Sequence, residues 1–156
     1  MTPIYTFLLM HGRAREAAEF YASAFPDGEI LEVLHHGPGS WGPGGDVMSA
    51  TVRVGGMTIV LLNGGPEASF TMATSLVIET ADQAETDRYW NALCDGGEPQ
   101  PCGWLRDRYG VYWQVTPTRM LELLRDPESG RSERAMRAMM SMTKLDISAL
   151  EAAANG

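Results

Sequence analysis

The chain lacks what would tie it to a bilayer or to nucleic acid. No apolar run approaches the roughly 20 residues needed to cross a membrane, and the start, Met1-Thr2-Pro3-Ile4, has no basic segment ahead of an apolar one. Basic side chains are scarce: 12 stand against 20 acidic ones, and the resulting formal charge of -8 repels phosphate backbones and anionic membranes at long range. Cysteine is scarcer still. Cys94 and Cys102 are too few and too far apart for the close spacing of a thiol redox or zinc pattern, so reduced thiols in a cytoplasmic protein are expected. The 156 residues suit one domain or two small fused modules.

Periodicity supplies the elements. Ile4 to Met10 is a short apolar run, followed by Ala14, Ala17, Ala18, Tyr21, Ala22 and Phe25 at the spacing of one helical face. Pro26-Asp27-Gly28 stops that helix. Ile30 to His35, Val47 to Val54 and Met57 to Leu62 read as strands, the last two joined by a tight turn at Gly55-Gly56. The same order then returns. Ser75 to Glu79 is a strand, Asp82 with Glu85 resembles a capping box, and Thr86, Trp90 and Leu93 mark a helix face that ends at Gly96-Gly97. Three short strands follow, up to Val115. Matching Leu8 to Ile78 and Leu62 to Gln114 gives two copies of strand, helix, strand, strand, strand, with the extra length of the first in the glycine- and proline-rich loop from Gly37 to Gly45.

The boundaries are therefore 1–70 and 71–117 for the two modules and 118–156 for a helical extension. Pro117 is expected to break the last strand. Met120, Leu121 and Leu124 suit a short helix, Ser132 to Met142 a second with Met136, Met139 and Met140 as its packing stripe, and Asp146 caps a third. So short a tail has to pack on the modules or on a second subunit.

The richest segment is Cys102-Gly103-Trp104-Leu105-Arg106-Asp107-Arg108-Tyr109-Gly110-Val111-Tyr112-Trp113-Gln114-Val115. It reads as a hairpin with Asp107 and Gly110 in the turn. Alternation then sends Trp113 to one face and Tyr112 and Gln114 to the other, where the amide meets either solvent or a cavity.

Taken together, these segments resemble the vicinal oxygen chelate (glyoxalase/bleomycin resistance/dioxygenase) superfamily, and within it the 3-demethylubiquinone-9 3-methyltransferase-like branch. The resemblance runs through Phe7 to Tyr21 with Ala17-Ala18-Glu19-Phe20-Tyr21, Phe25-Pro26-Asp27, Gly64-Gly65-Pro66, Cys102 to Gly110, Trp113-Gln114-Val115 and Lys144-Leu145-Asp146-Ile147. It implies an α+β fold of two βαβββ modules whose curled antiparallel sheets enclose a cleft, often within a homodimer. In metal-using members the first and last strand of each module carry histidine or glutamate ligands. The corresponding positions here are Thr6, Asn63, Ser75 and Gln114. Neutral hydroxyls and amides bind a dication weakly, yet both donate and accept hydrogen bonds to a polar ligand.

Other chemical signals are weaker. Gly37-Pro38-Gly39-Ser40-Trp41-Gly42 matches a dinucleotide pattern but precedes a strand, so no helix N-terminus stands behind it. Trp41 in that loop either closes over a ligand or docks on its own module. His35 and His36 point to opposite faces and cannot share one metal. Glu79, in phase with Ser75, is the carboxylate candidate for the cleft. Arg106, Asp107 and Arg108 read as turn charges, although Arg106 suits an anionic ligand.

The expectation is a small-molecule-binding protein with no metal and no cofactor, its cleft lined by Thr6, Asn63, Ser75, Glu79, Trp104, Tyr112 and Gln114. Its partners are a small organic ligand and a second copy of the chain, with no nucleic acid and no membrane, and the methyltransferase label is read as a misnomer. The competing expectations are a metal-dependent lyase or dioxygenase using groups such as His11 and Glu79, and a non-catalytic module that sequesters a toxic compound.

Overall fold

The computed structural model describes residues 2–128 and 130–156; Met1 and Ser129 lie outside them. The chain divides into two compact units, Met1–Ser69 and Phe70–Gly156, each with its own sheet and core.

The first unit runs β1 (Thr6–Leu9), α1 (Ala14–Ala24), β2 (Glu29–His35), β3 (Val47–Val54) and β4 (Met57–Leu62), with sheet order β1-β4-β3-β2. β1 joins β4 in parallel, and the other pairs are antiparallel. Alternation decides which face is covered. Ala50, Val52 and Val54 of β3 with Ile59 and Leu61 of β4 are buried, and α1 packs on them through Tyr21 and through Ala14, Ala17 and Ala18, whose small side chains let the helix approach the sheet closely. Gly55 and Gly56 take φ of 54° and 76°, the left-handed pair that a two-residue hairpin requires. The Asp27 carboxylate accepts from both of their N–H groups at 3.1 and 3.2 Å.

The second unit repeats the plan as β5 (Leu76–Thr80), α2 (Gln83–Cys94), β6 (Glu98–Pro99), β7 (Trp104–Arg106) and β8 (Tyr112–Pro117), in the order β5-β8-β7-β6. Here too the first strand is parallel to the last. The capping box forms with a shift of one residue: Asp82 accepts from the Glu85 N–H, while the Glu85 carboxylate reaches back to the N–H of Ala81. Pro117 does not break β8 but pairs with Thr80 as its last residue, consistent with the tolerance of proline where no ladder hydrogen bond is asked of it. The ladders place Leu8 beside Leu61 and Ile78 beside Val115. The residue of the first unit equivalent to Gln114 is therefore Val60, not Leu62.

Three helices complete the second unit: α3 (Thr118–Leu124), α4 (Arg131–Met140) and α5 (Ile147–Asn155). They close over Met120, Leu123, Ala135, Leu145, Leu150 and Ala154. The methionine stripe is corrected. Ala135 is the buried residue of α4 and Ala138, Met139 and Met142 pack beside it, whereas Met136 and Met140 are 41% and 66% exposed, because they lie a further hundred degrees around the helix.

The tail docks on its own module at one short segment. Cys102 and Gly103 donate their N–H groups to the carbonyls of Met142 and Thr143 at 2.8 and 2.7 Å. Gln83 donates to Leu145 O and accepts from Ile147 N, and Lys144 pairs with Asp87 at 2.6 Å. Bonds to Lys144 and Gln83 hold the Asp87 carboxyl below the ordinary carboxylate range, and the N–H of Ala149 with the hydroxyl of Ser148 does the same for Asp146. A depressed folded pKa gives stability that is complete above the ordinary carboxylate value and is lost as pH falls through the lowered one. Acid titration followed by circular dichroism should therefore show the tail loosening only below the ordinary range, and Asp87→Asn should flatten that step.

Candidate functional site

The hairpin of β7 and β8 is set by its turn. Gly110 N–H donates to the Asp107 carbonyl and Asp107 N–H to that of Val111, both at 2.9 Å, and Gly110 takes φ of +88°, the left-handed residue of a three-residue loop. Asp107, read from the sequence as a turn charge, is 3% exposed. Its Oδ1 accepts from the N–H groups of Tyr109 and Val111 at 2.9 and 3.0 Å, and its Oδ2 from the indole N–H of Trp113 at 2.8 Å. The signal for this in the sequence was a carboxylate with two backbone donors and an indole just downstream.

With the turn fixed, registers assign the faces. Leu105 pairs with Trp113, which pairs with Leu76, and Val115 with Ile78. These lie on the side covered by α2, where the hydroxyls of Thr80 and Thr86 bond each other at 2.7 Å. The alternate residues face away from α2. One row across the uncovered side holds Trp104, Gln114 and Val77; the next holds Arg106 and Tyr112, with Ser75 in phase beyond β5. Gln114 Nε2 donates to Ser75 Oγ at 2.9 Å. Glu79 stands further along the same face and is exposed. Ser75, Trp104, Tyr112 and Gln114 are half-buried. Five of the seven cleft candidates thus share one face of one sheet.

Arg106 belongs to that face although the sequence placed it in the turn. Its nearest carboxylate is Glu98, at 3.6 Å from Nη1. Its Nε is buried and, alone among the buried side-chain nitrogens and oxygens of the described residues, has no hydrogen-bond partner.

Thr6 and Asn63 lie elsewhere. Thr6 is in register with Ile59, on the side that α1 covers, and its hydroxyl meets Met57 Sδ at 3.6 Å; Phe7 has the outward position. Asn63 is committed at both ends, accepting from the first helical N–H of α1 at Ala14 and donating to Val47 O. It serves α1 as the cap that Arg13 does not provide. A depression of about 570 Å³ in the first unit includes His11, Arg15, His36, Trp41 and Asp46 in its lining. His11 bonds Ala68 O and His36 bonds Ser40 Oγ. Trp41 docks on its own unit: it meets the His36 ring edge-on at 4.6 Å, and a side chain at Gly64 would fall 2.2 Å from its ring.

Whether these groups fit a divalent ion follows from their bonds. Asn63 and Thr6 are turned to structural tasks, and Ser75 and Gln114, both neutral, bond each other. Among the described residues, no three His, Cys, Asp or Glu side chains gather at one point within either unit. The donor set does not fit the ion. Nor does the Gly37 to Gly42 loop fit a methyl donor, since it leads into β3 and offers no helix N-terminus. No helix of the described residues is long and apolar enough to cross a membrane.

Residues 2–116 match the family model described as 3-demethylubiquinone-9 3-methyltransferase, so α3 to α5 fall beyond the match. A solved structure from Bacillus cereus, described as a 3-demethylubiquinone-9 3-methyltransferase, PhnB protein, is 30% identical; the alignment covers 75% of this chain and 100% of that one, with a TM-score of 0.68. Protein PA1353 from Pseudomonas aeruginosa is 26% identical over 75% of this chain and 98% of its own, with a TM-score of 0.64. The fosfomycin resistance protein FosX from Listeria monocytogenes is 12% identical over 75% and 93% of the two chains, with a TM-score of 0.51, a likeness of fold alone. No curated protein matches the chain.

Proposed function

Because the chain belongs to the 3-demethylubiquinone-9 3-methyltransferase family, within the vicinal oxygen chelate superfamily, we propose that it binds a small organic ligand on the uncovered face of its second sheet, without a metal and without a methyl donor. The observation that carries this is the Ser75 to Gln114 hydrogen bond, 2.9 Å long, set between Trp104 and Tyr112 in the face where a metal-using relative would place charged ligands. A hydroxyl and an amide already bonded to each other keep free lone pairs and one free N–H for a polar group. The rings beside them supply apolar area and stacking.

The family description names a methyltransferase, and the residues speak for a different use of the frame, since fold does not dictate reaction. The same proposal includes a cytoplasmic location and a homodimer; the dimer is supported by Ile4 and Tyr5 just before β1 and Phe7 on it, which leave 96%, 56% and 53% of their surface exposed, an apolar edge suited to a second copy. Sedimentation at micromolar concentration checks that part.

Elemental mass spectrometry of untagged protein tests the site. The expected result is far less than one transition-metal ion per chain, unchanged after incubation with zinc, nickel, manganese and ferrous iron, and no gain in Tm from S-adenosylmethionine. One tightly held ion per chain, with a fall in Tm on chelation, would overturn the metal-free reading.

A further inference from the structure

We propose that Arg106 is an anion receptor, and that the ligand of this face is a small organic anion whose carboxylate or phosphonate head pairs with Arg106 while its apolar body lies over Tyr112 and Trp104. The proposal rests on the reading that the uncovered face binds a small molecule, and it names the class of that molecule.

A guanidinium presents five N–H donors in a planar fork that matches the oxygens of a carboxylate or a phosphonate. Arg106 uses that capacity poorly. Glu98 is 3.6 Å away, longer than a hydrogen bond, and it is itself 64% exposed, so it holds the guanidinium loosely. Nε–H is buried without an acceptor, a condition that folded proteins avoid and that an acceptor from a ligand would relieve. The side chain is 43% exposed, so the guanidinium is partly reachable from solution.

The neighbourhood favours the same class. Arg106 lies opposite Tyr112 in the ladder, so the phenol can donate to the same head. The guanidinium lies close to Gly110 and Phe70: a Cβ at Gly110 would stand 3.4 Å from Nη2, 3.6 Å from Nε and 3.7 Å from the Phe70 ring. The next row offers Trp104 as an apolar wall and Gln114 with Ser75 as neutral partners. The acids on this face are Glu98, beside Arg106, and Glu79, beyond Gln114. The preference for an anion therefore rests on Arg106 and the neutral donors around it, against Glu98 and Glu79, which oppose it.

Benzoate, phenylphosphonate and the neutral benzamide test this against each other, with Trp fluorescence and the Nε–Hε resonance of Arg106 as readouts. Benzoate or phenylphosphonate should shift that resonance and bind at least about tenfold more tightly than benzamide, the range for one charge-assisted contact; which of the two does so identifies the head. Arg106→Gln should abolish the preference, and Glu98→Gln, a surface change, should strengthen anion binding. Equal binding of benzoate and benzamide, or a preference that survives in Arg106→Gln, would overturn the anion assignment and leave a neutral small-molecule site. No response to any of the three would overturn both the assignment and the binding face beneath it.

Discussion

Replacing Asp107 by alanine is expected to destabilise the protein by about 3–5 kcal/mol, the range for leaving several buried donors without their charged acceptor. The carboxylate, 3% exposed, satisfies three donors at 2.8 to 3.0 Å. Two are the backbone N–H groups that shape the loop before β8, and the third is the indole of Trp113, which is 2% exposed. The bonds to Val111 N–H and the Trp113 indole are buried, so those two donors have no water to turn to once the acceptor is gone. Asp107→Asn keeps the shape and one carbonyl oxygen but brings two new donors to a place that holds only donors, so it should recover less than half of the loss. Urea unfolding and the emission of Trp113 report both variants. A cost below about 1 kcal/mol for Asp107→Ala would mean that the turn holds by its backbone bonds alone.

Gly103→Ala is expected to cost about 3–4 kcal/mol, because backbone strain and an overlap add at one position. Gly103 has φ of +80°. A Cβ there would lie 2.9 Å from Leu145 Cδ1 and 2.9 Å from the carbonyl oxygen of Val115. Leu145 can withdraw, but Val115 belongs to the central ladder of the sheet and cannot. Withdrawal of Leu145, which is 1% exposed and part of the tail's core, should loosen the three last helices. Limited proteolysis should then cut within 118–156 in the variant well before it cuts the wild type. Leu145→Ala alone is expected to cost about 2–4 kcal/mol. The double variant should cost less than the sum of the two, since the leucine already removed no longer collides. Additive costs would place the strain at Val115 and the backbone instead.

Much of the fold was legible because it is written locally. Val47 to Val54 and Met57 to Leu62 were delimited as the structure has them, since β-branched runs ended by Gly55-Gly56 leave no alternative. Asp82 and Asp146 announced α2 and α5 from one side chain each. What failed was relational. The register of β4 against β8 depends on where each strand meets its neighbour across the sheet, and a slip of two residues leaves every side chain on its own face, so the alternation gave no warning. Thr6 was misplaced by a single position, and a single position reverses the face. Met136 and Met140 have the right spacing for a packing stripe, but Ala135 fits closer to the helices α4 meets, a choice made by volume and not by period. On the second sheet, Ser75, Glu79, Trp104, Tyr112 and Gln114 emerged together because a strand carries its own two-residue phase. Arg106 shares that phase; it was read as a turn charge, with an anionic ligand as the alternative, because the residue after it begins a turn.

The alternation across β7 and β8 separates two inheritances in one hairpin. Leu105, Asp107, Trp113 and Val115 are buried on the side of α2, while Trp104, Arg106, Tyr112 and Gln114 alternate to the other face and are half-buried. On the proposed use of this face, substitutions at the second set are expected to alter binding with a smaller effect on folding than those at the first. A library randomised at those four codons should retain mostly soluble, folded members, and one randomised at the inward four should retain almost none. The hairpin is in that sense an evolvable surface, where new specificities can be tried without the frame having to be rebuilt each time.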